Sequence, residues 1–354
     1  ESTTLYPKNV DATSDLTYVY SSEYNGYLVG DGTNSYTGTA TDIIIPDTHY
    51  TEANGEQIVN GFSSEALANN NNILSIMIPN TMHYLHTRMF SNSKNVSNLY
   101  VNASHPSIKS DGNCYISKRR IQNVLIGCKT AEIPNYVTGI GVGAFTDCTG
   151  LTDIKIPNSV TSIEQYAFYG CNNLTSVDMS RGVISIGQYA FQKCGFSEIN
   201  IPDSVTTIGQ QAFYNCTSLT KVTIGKGLKT YGTAVFASCK NLSSIVVDQN
   251  NATFKSENNC LINKINNNLI LGCKTSTIPN SVTAIAGYAF YGSGLTSLFI
   301  PDSVVSISGQ VFRDCTELVS ISIGDGVKKI GLNVFKNCSK LTSVTFSNPT
   351  GWTV

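Results

Sequence analysis

The chain has 354 residues, of which only 13% are charged, and its formal net charge is −1 at pH 7. Since the usual charged share is about 25%, electrostatic capture of nucleic acid or anionic lipid is not supported. No apolar run reaches the roughly 18 residues of a membrane span, so we expect no transmembrane segment in this chain.

Residues 1–42 lack the repeat that organises the rest of the chain. Leu16–Tyr20 alternates like a strand, and glycines between Tyr24 and Tyr36 indicate turns. A stack of coils exposes its core at each end and needs an atypical cap. We therefore predict an N-terminal β cap over residues 1–42. Asp47–Gln57 is interpreted as an insertion soon after the first repeated strand.

From residue 43 to 346 the chain repeats a pattern of 22–23 residues, clearest between Leu151 and Cys171. Each copy reads Leu-x-x-Val-x-Ile-Pro-x-x-Val-x-x-Ile and then Ala-Phe-x-x-Cys. Alternation predicts a short strand before each proline, with Val and Ile facing inward, and the proline or a Gly-x-Gly sequence turns the chain. No helical periodicity is sustained, so little α-helix is expected. One residue per copy is predicted to form a core column: Leu67, Phe90, Phe145, Phe168, Phe191, Phe213, Phe236, Phe290, Phe312 and Phe335.

Two intervals in this column, Phe90 to Phe145 and Phe236 to Phe290, are more than twice the usual length. The extra segments lie at about 102–130 and 248–275. Each contains two apolar runs separated by a polar stretch, which is typical of a β-hairpin. We therefore predict two β-hairpin insertions in an otherwise regular stack.

The chain has eleven cysteines, and seven of them lie three residues after a column phenylalanine. A position that recurs in the core favours small buried thiols over disulfides. No CxxC pair is present, so we expect no metal site at these residues. The seven are Cys148, Cys171, Cys194, Cys216, Cys239, Cys315 and Cys338.

Outward positions of the predicted strands are the candidate ligand-binding residues. Asp153, Asp178 and Glu198, flanked by lysines, could hold a cation, a sugar or a basic peptide, and such spacing also suits inverting glycoside hydrolysis. A solvated, charge-compensated sheet face is the plainer interpretation. Val246 and Phe299 are apolar at outward positions and either pack beneath the second insertion or form an exposed patch. The full candidate set is Asp153, Lys155, Ser176, Asp178, Glu198, Asn200, Lys221, Thr223 and Phe299.

The four histidines give only a weak metal signal. His83 and His86 flank Leu85, and His49 and His105 stand alone. We interpret the His83 and His86 pair as surface polar residues. No Ser-His-Asp or Cys-His arrangement stands out, so we expect no catalytic residues, no metal and no cofactor.

The segment Asn158–Ile163 followed by Tyr166–Cys171 resembles the repeat of the BspA-like leucine-rich repeat family, and the resemblance covers residues 43–346. It implies a mainly β, right-handed solenoid with a parallel sheet on its concave face. It also implies secretion or surface anchoring and a role in adhesion. Ser93 and Ser293 depart from the pattern by replacing cysteine. Residues 347–354 show no evident cap, and we expect them to begin a C-terminal continuation.

The leading interpretation is a secreted or cell-surface binding module with no catalysis. Its expected partner is an extracellular protein or glycan of a host or cell surface, with no nucleic acid, and the chain is expected to be monomeric. One alternative is a β-solenoid enzyme that acts on polysaccharide through Asp153, Asp178 and Glu198. A second alternative is a passive surface spacer.

Overall fold

The structure is a computed structural model that describes residues 12–119 and 122–347. Within these ranges the regular elements are strands joined by turns, with no α-helix, and no helix there has the length and hydrophobicity to cross a membrane. The chain divides into two compact units, Glu1–Asp178 and Met179–Val354. The predicted tail at 348–354 and the first eleven residues of the predicted cap lie outside the described residues.

A four-stranded sheet forms the N-terminal part of the first unit, in the order β1-β2-β5-β4. The strand predicted at Leu16–Tyr20 begins two residues later. The sheet continues to Phe62, past the predicted cap boundary at residue 42, because the segment interpreted as an insertion supplies its last two strands. The strands are β1 (Tyr18–Ser21), β2 (Gly26–Val29), β4 (Thr48–Thr51) and β5 (Gly55–Phe62).

Beyond this sheet, most coils carry a strand of three or four residues before the Pro or Gly turn, which we call the long strand. Its inward side chains are buried and its outward ones largely solvated, as in β16, where Glu198 and Asn200 are exposed while Ile199 and Ile201 are buried. The long strands are β3 (Asp42–Ile44), β6 (Ser75–Ile78), β7 (Asn98–Val101), β12 (Asp153–Ile156), β14 (Ser176–Met179), β16 (Glu198–Ile201), β18 (Lys221–Ile224), β20 (Ser244–Val247), β25 (Ser297–Ile300), β27 (Ser320–Ile323) and β29 (Ser343–Phe346).

A second, two-residue strand follows the turn in many coils, and the sequence did not predict it because two residues are too few to show alternation. In most coils it ends on the last Ile of the repeat pattern, which is buried at Ile163, Ile208 and Ile285. These short strands are β11 (Gly139–Ile140), β13 (Ser162–Ile163), β15 (Ser185–Ile186), β17 (Thr207–Ile208), β19 (Thr230–Tyr231), β24 (Ala284–Ile285), β26 (Ser306–Ile307) and β28 (Lys329–Ile330).

The long strands pair in parallel, which confirms the predicted parallel sheet and the solenoid. In the first unit they form the sheets β3-β6-β7 and β12-β14, and in the second unit β16-β18-β20 and β25-β27-β29. The short strands pair in parallel as well, for example β15-β17-β19 and β24-β26-β28. Each unit thus contains stacked coils, with long strands on one side of the core and short strands on the other.

Each insertion contains three antiparallel strands. The predicted hairpin is confirmed for the last two strands of each, but the first strand was missed because it carries a single apolar residue, Ile108 or Phe254. The last strand of each insertion pairs in parallel with the next short strand, so the insertion joins the short-strand side. The strands are β8 (Ile108–Asp111), β9 (Cys114–Ser117), β10 (Asn123–Gly127), β21 (Phe254–Glu257), β22 (Cys260–Asn263) and β23 (Asn268–Leu271).

The aromatic column is the centre of the core. Phe213 stacks on Phe191 with ring centroids 5.2 Å apart and on Phe236 at 4.9 Å. We call the turn around each column residue the anchor turn. The backbone N–H of the column residue donates to the next coil, as from Phe213 N to Val235 O at 2.9 Å. Leu67 makes the same bond, to Met89 O at 2.7 Å, which confirms its place in the column.

Six of the seven repeated cysteines are buried, as predicted, whereas Cys338 is half-buried, and several of their thiols also donate hydrogen bonds. Cys216 Sγ donates to Phe191 O at 3.1 Å and Cys315 Sγ to Phe290 O at 2.9 Å, in each case the carbonyl of the preceding column residue. Ser93 replaces cysteine and donates the same bond, to Leu67 O at 2.7 Å. Burial raises the pKa of the Cys315 thiol to about 12, so the thiol keeps the proton that it donates. In these coils the position therefore requires a small donor.

Replacing Cys239 tests this requirement, because its Sγ donates to Phe213 O at 3.2 Å. We expect Cys239→Ala to lower the free energy of unfolding by about 1–3 kcal/mol, since the buried carbonyl loses its donor and a small cavity opens. Cys239→Ser should cost less, because its hydroxyl can donate as Ser93 does. Urea unfolding followed by circular dichroism measures both, and equal losses for the two variants would contradict a donor role.

A buried polar residue starts each insertion at an equivalent place. In the first, His105 Nε2 donates to Met82 O at 2.6 Å, while its Nδ1 accepts from the N–H of Ser107 and Ile108. In the second, the Asn251 side chain donates to Gly225 O at 2.9 Å and accepts from two N–H groups just after it. Because Nδ1 must accept, His105 is neutral in the folded protein, and burial lowers its pKa.

His105→Asn is expected to make unfolding less pH-dependent. The unfolded histidine binds a proton at a pKa of about 6.5, whereas the folded one resists protonation. The stability that depends on neutral His105 is therefore complete above pH 6.5 and falls as the pH drops below about 6.5. Urea midpoints at pH 7.5 and pH 5 should decline less for His105→Asn than for the parent chain. The reverse change, Asn251→His, should add such a decline, and unchanged slopes in both variants would count against this account.

Candidate functional site

Four of the predicted candidates lie on the long strands of the first unit. Asp153 and Lys155 face outward on β12, and Ser176 and Asp178 face outward on β14; all four are exposed. Asp153 accepts a hydrogen bond from Thr152 Oγ1 at 2.8 Å. The outward orientation predicted for these side chains is confirmed, and their surroundings are those of a solvated sheet face.

The next four candidates lie on neighbouring strands of the second unit. Glu198 stands beside Lys221 in the register of β16 and β18, with Oε2 3.8 Å from Nζ, and Asn200 stands beside Thr223. An exposed pair of this kind contributes at most about 1 kcal/mol. Of the three carboxylates considered together, the structure places Asp153 and Asp178 in the first unit and Glu198 in the second.

Phe299 lies in a groove of about 560 Å³ on the long-strand face of the second unit. The register of β25, β27 and β29 aligns two columns of outward side chains across the groove. Ser276–Ile278, at the end of the second insertion, line it as well. We call it the hydroxyl groove, and its columns are Ser297, Ser320 and Ser343, and Phe299, Ser322 and Thr345.

Phe299 and Val246 are 56% and 42% exposed. The prediction that they form an exposed patch is therefore confirmed for solvent exposure, and the alternative, packing beneath the second insertion, is wrong. The physical reason is the route of that insertion, whose last strand joins the short-strand sheet and so leaves the long-strand face uncovered.

No charged side chain lines the hydroxyl groove among the residues that the structure describes. Serine and threonine hydroxyls both donate and accept hydrogen bonds, and the Phe299 ring adds an apolar platform. A groove of this volume lies within the usual range for ligand sites, about 300–1,000 Å³. The sequence candidates included Phe299 but did not single out the serine columns, which follow from aligning the outward positions of successive repeats.

The histidines take structural rather than ligating positions. His49 stacks on Tyr18 with centroids 4.1 Å apart, and His83 lies edge-on to buried His105 at 6.0 Å. The burial of His105 could not be predicted from the sequence, because its partner Met82 lies on another coil. In the described ranges, 12–119 and 122–347, no group of three or more His, Cys, Asp or Glu side chains is arranged to hold a metal ion.

The fold and this exposed, largely uncharged face define a solenoid protein of the leucine-rich repeat class. Comparison with family models then assigns the chain plainly: it belongs to the family described as BspA type leucine rich repeat region, with six copies matched over residues 47–138, 138–267 and 263–351.

Solved structures similar to this chain have low sequence identity to it. A leucine rich cell surface protein from Faecalibacterium prausnitzii A2-165 has 24% identity and a TM-score of 0.53, covering 97% of this chain and 96% of that one. Leucine-rich repeat proteins from Bacteroides ovatus (22%, TM-score 0.43, covering 96% and 94%) and Eubacterium ventriosum (21%, TM-score 0.49, covering 90% and 82%) are also similar. No curated protein matches the chain.

Proposed function

We propose that this protein is a secreted or cell-surface binding module, which recognises an extracellular protein or glycan through the hydroxyl groove. The groove around Phe299 carries the proposal, because it combines an exposed ring with uncharged hydroxyls on a rigid sheet. Family membership supports a surface location, and the similar protein of F. prausnitzii is described as a cell surface protein.

The chemistry of the groove favours a neutral or weakly charged ligand surface. An exposed apolar ring this large on a sheet is a typical centre for a binding site, with polar groups around it. The hydroxyls of Ser297, Ser320 and Ser322 would satisfy the polar groups of the ligand without the cost of desolvating charges. Because each hydroxyl rotates, the columns can pair with donors or acceptors.

Catalysis has less support. A general acid on this face would need a raised pKa, which requires burial or a like charge close by. Glu198 is instead solvated and lies beside Lys221, and Asp153 and Asp178 are exposed. Turnover of a polysaccharide panel that disappears in Asp178→Asn would nevertheless establish the enzyme alternative.

The binding role is tested by presenting matrix proteins, a glycan array and whole cells to the intact chain. We expect micromolar binding to at least one of them, and Phe299→Ala should weaken it about tenfold or more because the central contact is removed. Val305→Ala is the matched control, since Val305 is an exposed apolar residue of the same unit outside the groove. Both substitutions should leave the urea midpoint nearly unchanged.

Two results would count against the proposal. Binding that Phe299→Ala and Val305→Ala reduce equally would exclude the groove as the site. No binding to any protein, glycan or cell would favour the passive spacer.

A further inference from the structure

A separate small cavity of about 130 Å³ lies in the second unit, beside the anchor turns around Phe213, Phe236, Phe290 and Phe312. It is distinct from the hydroxyl groove and shares no lining residue with it. We call it the seam pocket. Its lining consists of three tyrosines, three glutamines, two alanines and a threonine: Tyr214, Tyr288, Tyr291, Gln210, Gln211, Gln310, Ala234, Ala237 and Thr233.

The pocket lies where the second insertion interrupts the stack, between the coil of Phe236 and the coil of Phe290. We call such an interruption a seam. Where anchor turns follow each other directly, the column N–H bonds the next coil, as Phe213 does. At the seam, Gly272 N takes the equivalent acceptor, Ala289 O, at 2.8 Å. A side chain on Gly272 would overlap the ring of Phe290. Two residues after Phe236, Ser238 N still donates to Tyr291 O at 2.8 Å. The two coils are therefore hydrogen-bonded to each other at Ser238, while Gly272 lies between them at Phe236.

Alanines leave the space that the tyrosines surround. Ala234 and Ala237 occupy the same repeat positions that hold Gln211 and Tyr214 in the preceding coil, and Tyr288 and Tyr291 in the following one. The Tyr214 and Tyr291 rings lie 6.3 Å apart, and the Tyr288 and Tyr291 rings 5.8 Å apart. Three half-buried aromatic rings therefore face one gap between coils.

Hydrogen bonds hold the Tyr288 ring in place. Gln310 Nε2 donates to Tyr288 Oη at 2.9 Å, and Arg313 fixes that amide by donating to Gln310 Oε1 at 2.8 Å. Burial and the neighbouring Asp314 carboxylate raise the pKa of Tyr291, which therefore stays protonated. Such supporting bonds keep a binding site in one geometry and reduce the entropy lost on binding.

The first insertion makes a comparable seam without a tyrosine pocket. Gly127 N donates to Ala144 O at 2.8 Å there, and Asn92 N to Asp147 O at 3.0 Å, which repeats the geometry of the second seam. That seam contains Arg88, which pairs with Glu65 at 2.7 Å and Asp147 at 3.4 Å. The fold therefore does not require a pocket at a seam, and the second seam has one because Ala234 and Ala237 stand where the neighbouring coils carry longer side chains.

We propose that the seam pocket binds a single pyranose ring of a neutral glycan. No charged side chain lines it among the described residues, so it suits an uncharged ligand. The tyrosine faces would stack on the apolar face of a sugar, and glutamine amides would both donate to and accept from its hydroxyls. The volume is below the 300–1,000 Å³ of larger ligand sites and suits one ring rather than a chain.

The test uses the full chain, a panel of methyl glycosides of glucose, galactose, mannose and N-acetylglucosamine, and a proline-rich peptide. Saturation-transfer NMR should show at least one glycoside binding with a Kd on the order of 1 mM. Tyr291→Ala should weaken this binding about tenfold. Ala237→Tyr should abolish it by filling the pocket, and it should fold because the preceding coil carries Tyr214 at that position.

Controls separate this pocket from the hydroxyl groove. Phe299→Ala should leave glycoside binding unchanged, and so should Tyr189→Ala, since Tyr189 lies outside the pocket lining. The proposal would be overturned if no glycoside bound, if Ala237→Tyr bound as well as the parent chain, or if only the proline-rich peptide bound and Ala237→Tyr removed that binding. Weaker binding in Tyr291→Ala and loss of binding in Ala237→Tyr, with both controls unchanged and the urea midpoint preserved, would support it.

Discussion

Close approach of consecutive anchor turns is the constraint on which the structure depends. Where coils follow each other directly, the column residue donates its backbone N–H to the next coil, as Phe191 and Phe213 do, and the phenylalanine rings stack about 5 Å apart, close to the spacing of paired strands. The bond is more general than the ring, because Leu67 makes it as well. The buried cysteine adds a second bond to the preceding coil, from Cys216 to Phe191 O for example. Side-chain stacking and backbone pairing thus fix one register together.

The insertions show what this constraint permits. An extra segment can enter the stack only if its backbone takes over one anchor bond and brings no side chain against the next ring, and glycine alone meets both conditions. Gly127 and Gly272 do so in the two units. The entry of each segment is fixed by a buried polar residue, His105 in one and Asn251 in the other. Two different side chains therefore satisfy the same local backbone groups.

Much of the scaffold could be predicted from the sequence, because a repeat states each structural requirement several times. The proline turn, the inward Val and Ile, the column and the buried cysteine were all predicted from their recurrence in successive copies. Single events could not be predicted: Ile108 and Phe254 each begin a strand with one apolar residue, and His105 is buried by a neighbour on another coil. The donor role of cysteine could not be predicted, because burial alone explains why a small residue recurs there. The structure reveals it, since Ser93 donates the same bond in place of cysteine.

The candidate binding sites lie where folding constrains the side chains least. On the long-strand face, outward residues make no core contact. Phe299 therefore contributes nothing to the core, and its exposed ring carries the unfavourable free energy of apolar surface in water. At the second seam, a regular coil would favour a side chain that fills the gap, yet Ala234 and Ala237 leave it open between ordered tyrosines. A residue that the scaffold does not need, in an environment that penalises it, indicates selection by something outside the fold. That reasoning applies to Phe299 and to the two alanines of the second seam, and it does not extend to the solvated charges of Asp153 and Glu198, which a water-exposed sheet accommodates at no cost.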